Sequence, residues 1–394
     1  MTLRWFYSRT IRQAADLRKH VWKILSHQRD LLSPKAIDAV EASLKETEAV
    51  IHSAAGKEAL KKQMSKLEEV ANKWLRPYPH AAIRENVEVF LVAVAVAMGI
   101  RTFFLQPFKI PTGSMQPTLY GIVAQDLRGD PQAQIPNALV RFVDYWLSGV
   151  SYFHVVARND GVLTIGEPKT LLPFVKKQVL YIGNEAYPIW FPPEDLRMRA
   201  FSDQQFIVHE GQVFHQGETI LKMRVLSGDH LFVDRLTYNF RQPRRGEIIV
   251  FETKGIEHPR MPQDQFYIKR LVALGGENVK LGADRHLIID GQRLDASTPH
   301  FENVYSFDPN QPARESHYSG HTDGPRLAPL FYGQPNGVTM RPKHYMVMGD
   351  NTENSFDSRA WGDFPQSNVI GKHFFVYWPF LSKVGPSRFG WGQR

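Results

Sequence analysis

The stretch PFKIPTGSMQPTLYG, residues 107–121, follows the most apolar part of the chain. It packs one serine, two threonines, two glycines and a methionine between prolines. A loop fixed by Pro111 and Pro117 and freed at Gly113 can hold one side chain in an awkward, exposed posture. Ser114 is the side chain so placed. Taken alone, the stretch leaves two roles open for it: nucleophile or turn residue.

Working outward, the 394-residue length implies two or more domains, and 43% hydrophobic with 22% charged residues is a globular composition. The chain has no cysteine, which excludes disulfides and thiolate metal sites. Of the net charge of +8, residues 1–86 carry +6, from 16 Lys/Arg against 10 Asp/Glu. This bias before an apolar segment suits a cytoplasmic flank better than a nucleic-acid face, so no nucleic-acid partner is expected. The first thirty residues mix charges throughout and hold no apolar h-region, so no cleavable signal peptide is expected.

Residues 36–75 read as helix. Ile37, Val40, Leu44, Thr47, Ile51 and Ala54 recur at steps of three and four, and so do Leu60, Met64, Leu67, Ala71 and Trp74. The two phases differ by one residue with Gly56 between them, giving a helical hairpin or one long helix with a register slip. RPYPH then breaks the helix at Pro77 and Pro79. VEVFLVAVAVAMGIRTFFL, Val87–Leu105, amounts to roughly 28 Å of helix, close to the ~30 Å hydrocarbon core of a bilayer. A buried core helix is the alternative. After residue 121 short β-rich runs alternate with Gly and Asn/Asp turns, as in antiparallel meanders: YFHVVARNDGVLTIG, HLFVDRLTY, GEIIVFE, FYIKRLVAL, HYMVMGD and IGKHFFVYW. Residues 295–340 read as long loops.

A serine hydroxyl needs a base. No G-x-S-x-G elbow occurs, and no histidine falls in a convincing triad motif. Lys269, within the strand-like QFYIKRLVAL, is the candidate: a lysine desolvated by apolar neighbours gives up its proton near neutrality. Strand alternation would turn one of Lys269 and Arg270 inward and leave the other solvated. GDNTENSFDSRAWG, residues 349–362, offers Asp350, Asn351, Asn354, Ser355, Asp357, Ser358 and Arg359, enough polar groups for a hydrogen-bonded network around a site. Asp357 and Arg359 read as a structural ion pair. HEGQVFH, with His209 and His215, matches no metal-ligand spacing and reads as ordinary strand.

Four segments, PFKIPTGSMQPTL, SGDHLFVDRLTYNFRQPRRGEIIVFE, FYIKRLVALGGENVKL and GDNTENSFDSRAWG, together resemble the bacterial type I signal peptidases, membrane-bound Ser/Lys endopeptidases. They stand in the family's order after an apolar segment, over residues 87–121 and 227–380. The resemblance implies Ser114 as acylating nucleophile and Lys269 as general base. Thr112, where the family usually has serine, would complete an oxyanion hole with the Ser114 backbone N–H. Ser355 would orient the lysine amine. Asp350, Asn354, Asp357 and Arg359 would support the site. Phe108, Ile110, Pro111, Met115, Leu119 and Ile268 fall near the substrate pockets. No metal or cofactor is implied.

The implied fold is a mostly antiparallel β catalytic domain, 107–121 with 227–394, carrying a smaller β cap at roughly 281–340. One transmembrane helix, 87–106, and a cytoplasmic α-helical region, 1–86, precede it. Residues 122–226 are an insertion of unassigned role. The expected setting is the bacterial cytoplasmic membrane, crossed once, with the catalytic domain outside. The expected partners are signal-peptide-bearing preproteins, the lipid bilayer and, as a candidate, the translocation machinery. Two rivals are a soluble Ser/Lys self-cleaving regulator and a non-catalytic membrane scaffold.

Overall fold

The structure is a computed structural model that describes residues 8–53, 56–76, 81–130, 132–172, 175–192, 208, 210–305, 320–322, 324–383 and 385–391. The chain divides into two compact units, 1–96 and 97–394.

In the first unit, α1 (Arg9–Gln28), α2 (Pro34–His52) and α3 (Lys57–Trp74) pack on one another. Ser8 and Ser33 cap α1 and α2 by accepting from Ile11 N and Ala36 N. Val21, Leu25, Val40, Leu44 and Leu67 form the shared core. Of the two readings of 36–75, the hairpin is the one seen, because the chain leaves the helix at Ser53 and re-enters after Gly56. The first helix went unread because its dense charges mask an apolar row, Ile11, Ala14, Val21 and Leu25. Ala54, Pro77 and Pro79 lie outside the described residues.

Helix α4 (Ala81–Phe103) follows. Its Glu85–Phe103 portion has mean hydropathy 1.6 and no buried residues, so by length and composition it could cross a membrane. Strand β1 (Leu105–Lys109) follows after a single intervening residue, Phe104. Residues 110–121 then form the loop that carries Ser114.

Among the described residues, 122–226 form β structure with one helix. In order come β2 (Ile122–Asp126), α5 (Ala138–Ser148), β3 (Val150–Val156), β4 (Gly161–Ile165), β5 (Lys169–Leu172), β6 (Val175–Ile182), β7 (Glu185–Trp190), β8 (Val213–Phe214) and β9 (Thr219–Ser227). Strand β9 lies between β2 and β3, and Ile122 pairs with Ser227, so the segment returns to the point where it left. Leu163, Leu180, Ile182, Ile220 and Leu221 anchor a separate core. His215 is exposed near Asp160, and among the described residues no group of three His, Cys, Asp or Glu could hold a metal. His209 lies outside the described residues.

The remainder contributes β10 (His230–Asp234), β11 (Ile248–Glu252) and β12 (Phe266–Ala273). A small sheet follows: β13 (Asn278–Leu281), β14 (Leu287–Ile289), β15 (Gln292–Arg293) and, after a four-residue helix α6 (Glu302–Tyr305), β16 (Val338–Thr339). The chain ends with β17 (His344–Met348), α7 (Ser358–Trp361), β18 (Phe364–Pro365) and β19 (Val369–Trp378). The main sheet runs β1-β10-β19-β11-β12-β17-β18, with every described pairing antiparallel.

One expectation is corrected here. Lys269 and Arg270 are both buried, where alternation had left one in solvent. Strand β12 sits inside the sheet between β11 and β17, and both of its faces are covered. On one side Lys269 meets the Ser114 loop, and on the other Arg270 lies under Phe301 and pairs with Asp350.

Candidate active site

Ser114 sits in a single 3-10 turn, Gly113–Met115, entered from extended Thr112. The apolar side chains after it turn inward, and Met115 and Leu119 join Ile110, Leu231 and Val250 in the core under the sheet. Burial of these residues pins the loop, so Ser114 is held at 8% exposure. The sequence suggested a more exposed serine.

The Lys269 amine lies 2.5 Å from Ser114 Oγ and donates to it. Register explains the aim: Lys269 pairs with Ile249 on β11, in the middle of the sheet, so its stem rises between apolar neighbours. Burial lowers its pKa to about 8, against the opposing pull of Asp357 and Asp350. Thr112 Oγ1 is 3.4 Å from Ser114 Oγ. Among the described residues, Lys269 and Thr112 are the side-chain partners of Ser114 Oγ.

The loop after β17 locks this pair. Asn351 donates its backbone N–H to Ser114 O at 3.1 Å and its side-chain amide to Gly113 O at 3.0 Å. Asp357 accepts from Gly349 N and from Arg359 Nε at 2.9 Å, and both side chains are buried. Burial alone would raise the Asp357 carboxyl, but the Arg359 guanidinium and these hydrogen bonds hold it below the usual carboxylate range. Arg359 also donates to Thr352 O and Thr322 O, so its charge is well satisfied.

A second buried pair stands beside the first. Arg270 donates to both Asp350 oxygens and to Gly246 O. Thr118 donates to Asp350 as well, which ties the far end of the serine loop to the lysine strand. Asp350 and Asn351 belong to the polar run expected to form a network around the site, whereas nothing in the sequence marks Thr118 or Arg270 for it. A buried arginine was legible only from its partner Asp350, eighty positions away.

Two placements differ from the expected roles. Ser355 is buried, but its hydroxyl makes no hydrogen bond to Lys269; it lies close to the Asp357 carboxylate without a properly directed bond. Asn354 is exposed and contributes its backbone N–H to Asn351 Oδ1. Of the pocket candidates, Ile110, Met115 and Leu119 are buried in the core, whereas Phe108, Pro111 and Ile268 reach the surface.

Gly349 admits no side chain. A Cβ there would lie 2.2 Å from Ser355 Oγ and 2.3 Å from Ser114 O. Gly349→Ala is therefore expected to push the serine backbone away from Lys269 and to lower turnover at least tenfold. The checks are steady-state kinetics and circular dichroism, and wild-type turnover in a folded variant would contradict the packing argument.

A serine hydroxyl bonded to a desolvated lysine, on an antiparallel sheet, is the constellation of a Ser/Lys nucleophile. The signal peptidase family, peptidase S26, matches residues 83–131 and 219–378, more than half of the chain, and the chain belongs to this family. The match breaks within residues 122–226. A signal peptidase I of Leptolyngbya laminosa is 32% identical over 161 residues, 40% of this chain and 65% of the relative. A probable signal peptidase I-2 of a Synechocystis strain is 27% identical over 157 residues, 40% of this chain and 58% of the relative. The chain thus spans less than two thirds of the length of these two. A signal peptidase I of Pseudomonas fluorescens is 27% identical over 228 residues, covering 50% of this chain and 72% of the relative. A solved signal peptidase I of Enterococcus faecalis is 29% identical over 34% of this chain and 97% of its own, with a TM-score of 0.24.

Proposed function

We propose that this chain is a membrane-anchored serine endopeptidase that removes N-terminal signal peptides from exported preproteins, cutting after small residues. The observation that carries the reading is the buried Ser114–Lys269 contact in a chain of the signal peptidase family.

Neutral Lys269 takes the Ser114 proton as Oγ attacks the scissile carbonyl carbon. The Thr112 hydroxyl and the Ser114 backbone N–H receive the oxyanion. Collapse breaks the C–N bond, and the Lys269 ammonium returns its proton to the departing amine of the mature protein. The signal peptide remains as an ester on Ser114. Water gives a proton to Lys269, attacks the ester, and frees the carboxylate and the serine. Asp357, Arg359 and Asn351 keep the two reacting groups in contact. Ser355 fixes the space next to Asp357 and orients the amine after a small rotation.

The substrate binds extended along the free edge of β1, with Phe108, Pro111 and Ile268 as walls and Ile110, Met115 and Leu119 setting the floor from beneath. The sheet β13–β16 serves as the cap, and 122–226 as an accessory domain. Residues 87–106 cross the bacterial cytoplasmic membrane once, with 1–86 cytoplasmic and the catalytic domain outside; the translocation machinery is a candidate partner. The intact Ser114, Lys269, Asp357 and Arg359 arrangement speaks against a scaffold, and the exposed apolar α4 against a soluble regulator.

The test is cleavage of a preprotein by the full chain in vesicles, with the product sequenced from its new N-terminus. Cuts are expected where Ala-like residues stand one and three positions before the bond, and Phe at either position should lower kcat/KM about a hundredfold. Equal use of Phe and Ala would contradict the pocket assignment. Topology is checked separately: protease added outside sealed spheroplasts should digest the catalytic domain and spare a tag at residue 1. The reverse pattern would overturn the proposed orientation.

A further inference from the structure

The family match ends at residue 378, but the segment after it returns to the catalytic unit. Gly390 and Val376 exchange backbone hydrogen bonds at 3.0 Å, so the chain closes a loop on the end of β19. Phe380 and Leu381 donate their backbone N–H groups to Leu147 O, and Lys383 pairs with Asp144 at 3.1 Å. These bonds fix the course of the segment along α5. Arg388, near its end, is carried inward and is 6% exposed.

Arg388 meets the fully buried carboxylate of Asp229. Its Nε donates to Asp229 Oδ2 at 2.7 Å and its Nη2 to Asp229 Oδ1 at 3.1 Å, the two-pronged pairing that suits a guanidinium. Nη1 donates to Ser382 Oγ at 3.2 Å and to Pro386 O at 3.1 Å. The Tyr120 ring covers the guanidinium carbon at 4.0 Å.

What Asp229 holds is the Ser114 loop. Its backbone carbonyl accepts from Ile110 N at 2.9 Å, where the loop begins. Its backbone N–H donates to Tyr120 O at 2.8 Å, and its carboxylate accepts from Tyr120 N at 2.7 Å, where the loop ends. One residue thus closes both stems. Gly121, next to Tyr120, presses on the backbone of Thr112: a Cβ there would lie 2.1 Å from Thr112 C and 2.2 Å from Thr112 O. A shift of the Tyr120 stem is therefore passed to Thr112 and, two residues on, to Ser114, because a packed interior transmits displacement.

We propose that Arg388 is a positioning residue for the peptidase reaction: through Asp229 it fixes both stems of the Ser114 loop and so aims the Thr112 hydroxyl and the Ser114 N–H at the oxyanion. The proposal rests on the Ser/Lys peptidase reading above. Arg388 touches none of the reacting groups, and it lies ten residues beyond the family match. A buried ion pair adds little net stability over an apolar replacement, so its value here is the geometry it enforces. Oxyanion donors act on charge that develops in the transition state, so their misplacement should appear in kcat and leave KM alone.

The test uses the full chain in detergent on one signal-peptide substrate. Wild type, Arg388→Gly, Arg388→Lys and Ser114→Ala are compared, each with its unfolding midpoint. Arg388→Gly should lower kcat about thirtyfold with KM within about twofold of wild type. Guanidinium chloride, too dilute to unfold the chain, should recover part of that kcat by filling the vacated space, and sodium chloride at the same concentration should not. Arg388→Lys keeps the charge but not the fork, so its kcat should fall between the two, with KM unchanged and no response to guanidinium. That variant decides the matter if Arg388→Gly does not fold. Wild-type kcat in the folded variants, or a loss confined to KM, would overturn this proposal alone. So would a kcat loss that vanishes once activity is corrected for the folded fraction. No cleavage by wild type, or equal cleavage by Ser114→Ala, would overturn the peptidase reading and this proposal with it.

Discussion

Lys269→Arg is expected to be as inactive as Lys269→Met, with kcat at least about a thousandfold below wild type. Arginine keeps the charge and most of the length but does not release a proton in any accessible pH range. Methionine keeps the apolar volume of the stem in a site where Lys269 is 4% exposed, so that variant should fold. The pair separates two demands on this position: filling the space beside Ile249, and delivering a neutral amine 2.5 Å from Ser114 Oγ. Ser114→Ala should match both, and Ser114→Cys should keep measurable activity because a thiol ionises more readily. Turnover of a signal-peptide substrate by purified variants is the measurement. Near-wild-type activity of Lys269→Arg would remove Lys269 as the base.

Arg359→Ala is expected to cost about 3–5 kcal/mol of stability in denaturant unfolding of the full chain in detergent, because it strands the fully buried Asp357 carboxylate. Replacing both members, Asp357→Asn with Arg359→Met, should cost less than Arg359→Ala alone, since no bare charge is left. The sign with pH follows from the lowered Asp357 carboxyl. Its contribution is complete above the ordinary carboxylate range of about 4 and is lost as the pH falls through its lower folded value. A wild-type unfolding midpoint for Arg359→Ala would contradict the pairing.

What could be read from the residues alone was whatever depends on short-range chemistry. The Ser114 turn is declared by Pro111, Gly113 and Pro117, and the strand around Lys269 by its apolar run. Residues 36–75 are legible as helix because their core positions keep helical spacing, whereas the choice between a hairpin and one long helix is made by the break at Ser53–Gly56. Arg270 misled because alternation describes a strand with one wet face, and β12 has none: its second face is closed by Phe301 and by Asp350. The network that holds Ser114 joins Thr118, Arg270 and Asp350 across more than two hundred positions, and no local pattern reports it. The direction of helix α5 is not legible either: an apolar stripe has the same helical period whether it faces the core or, as here, outward.

The central claim is that a desolvated Lys269 is the base for Ser114. The most direct measurement is kcat/KM of the wild-type chain on one signal-peptide substrate from about pH 6 to 10, with Ser114→Ala as the blank. With the Lys269 pKa lowered to about 8, the amine is charged at acid pH and neutral above that value. Activity should rise as the pH passes through about 8, standing near one-tenth of its plateau at about pH 7. A flat profile, or an inflection near about 6.5 as an unperturbed histidine base would give, would contradict the account.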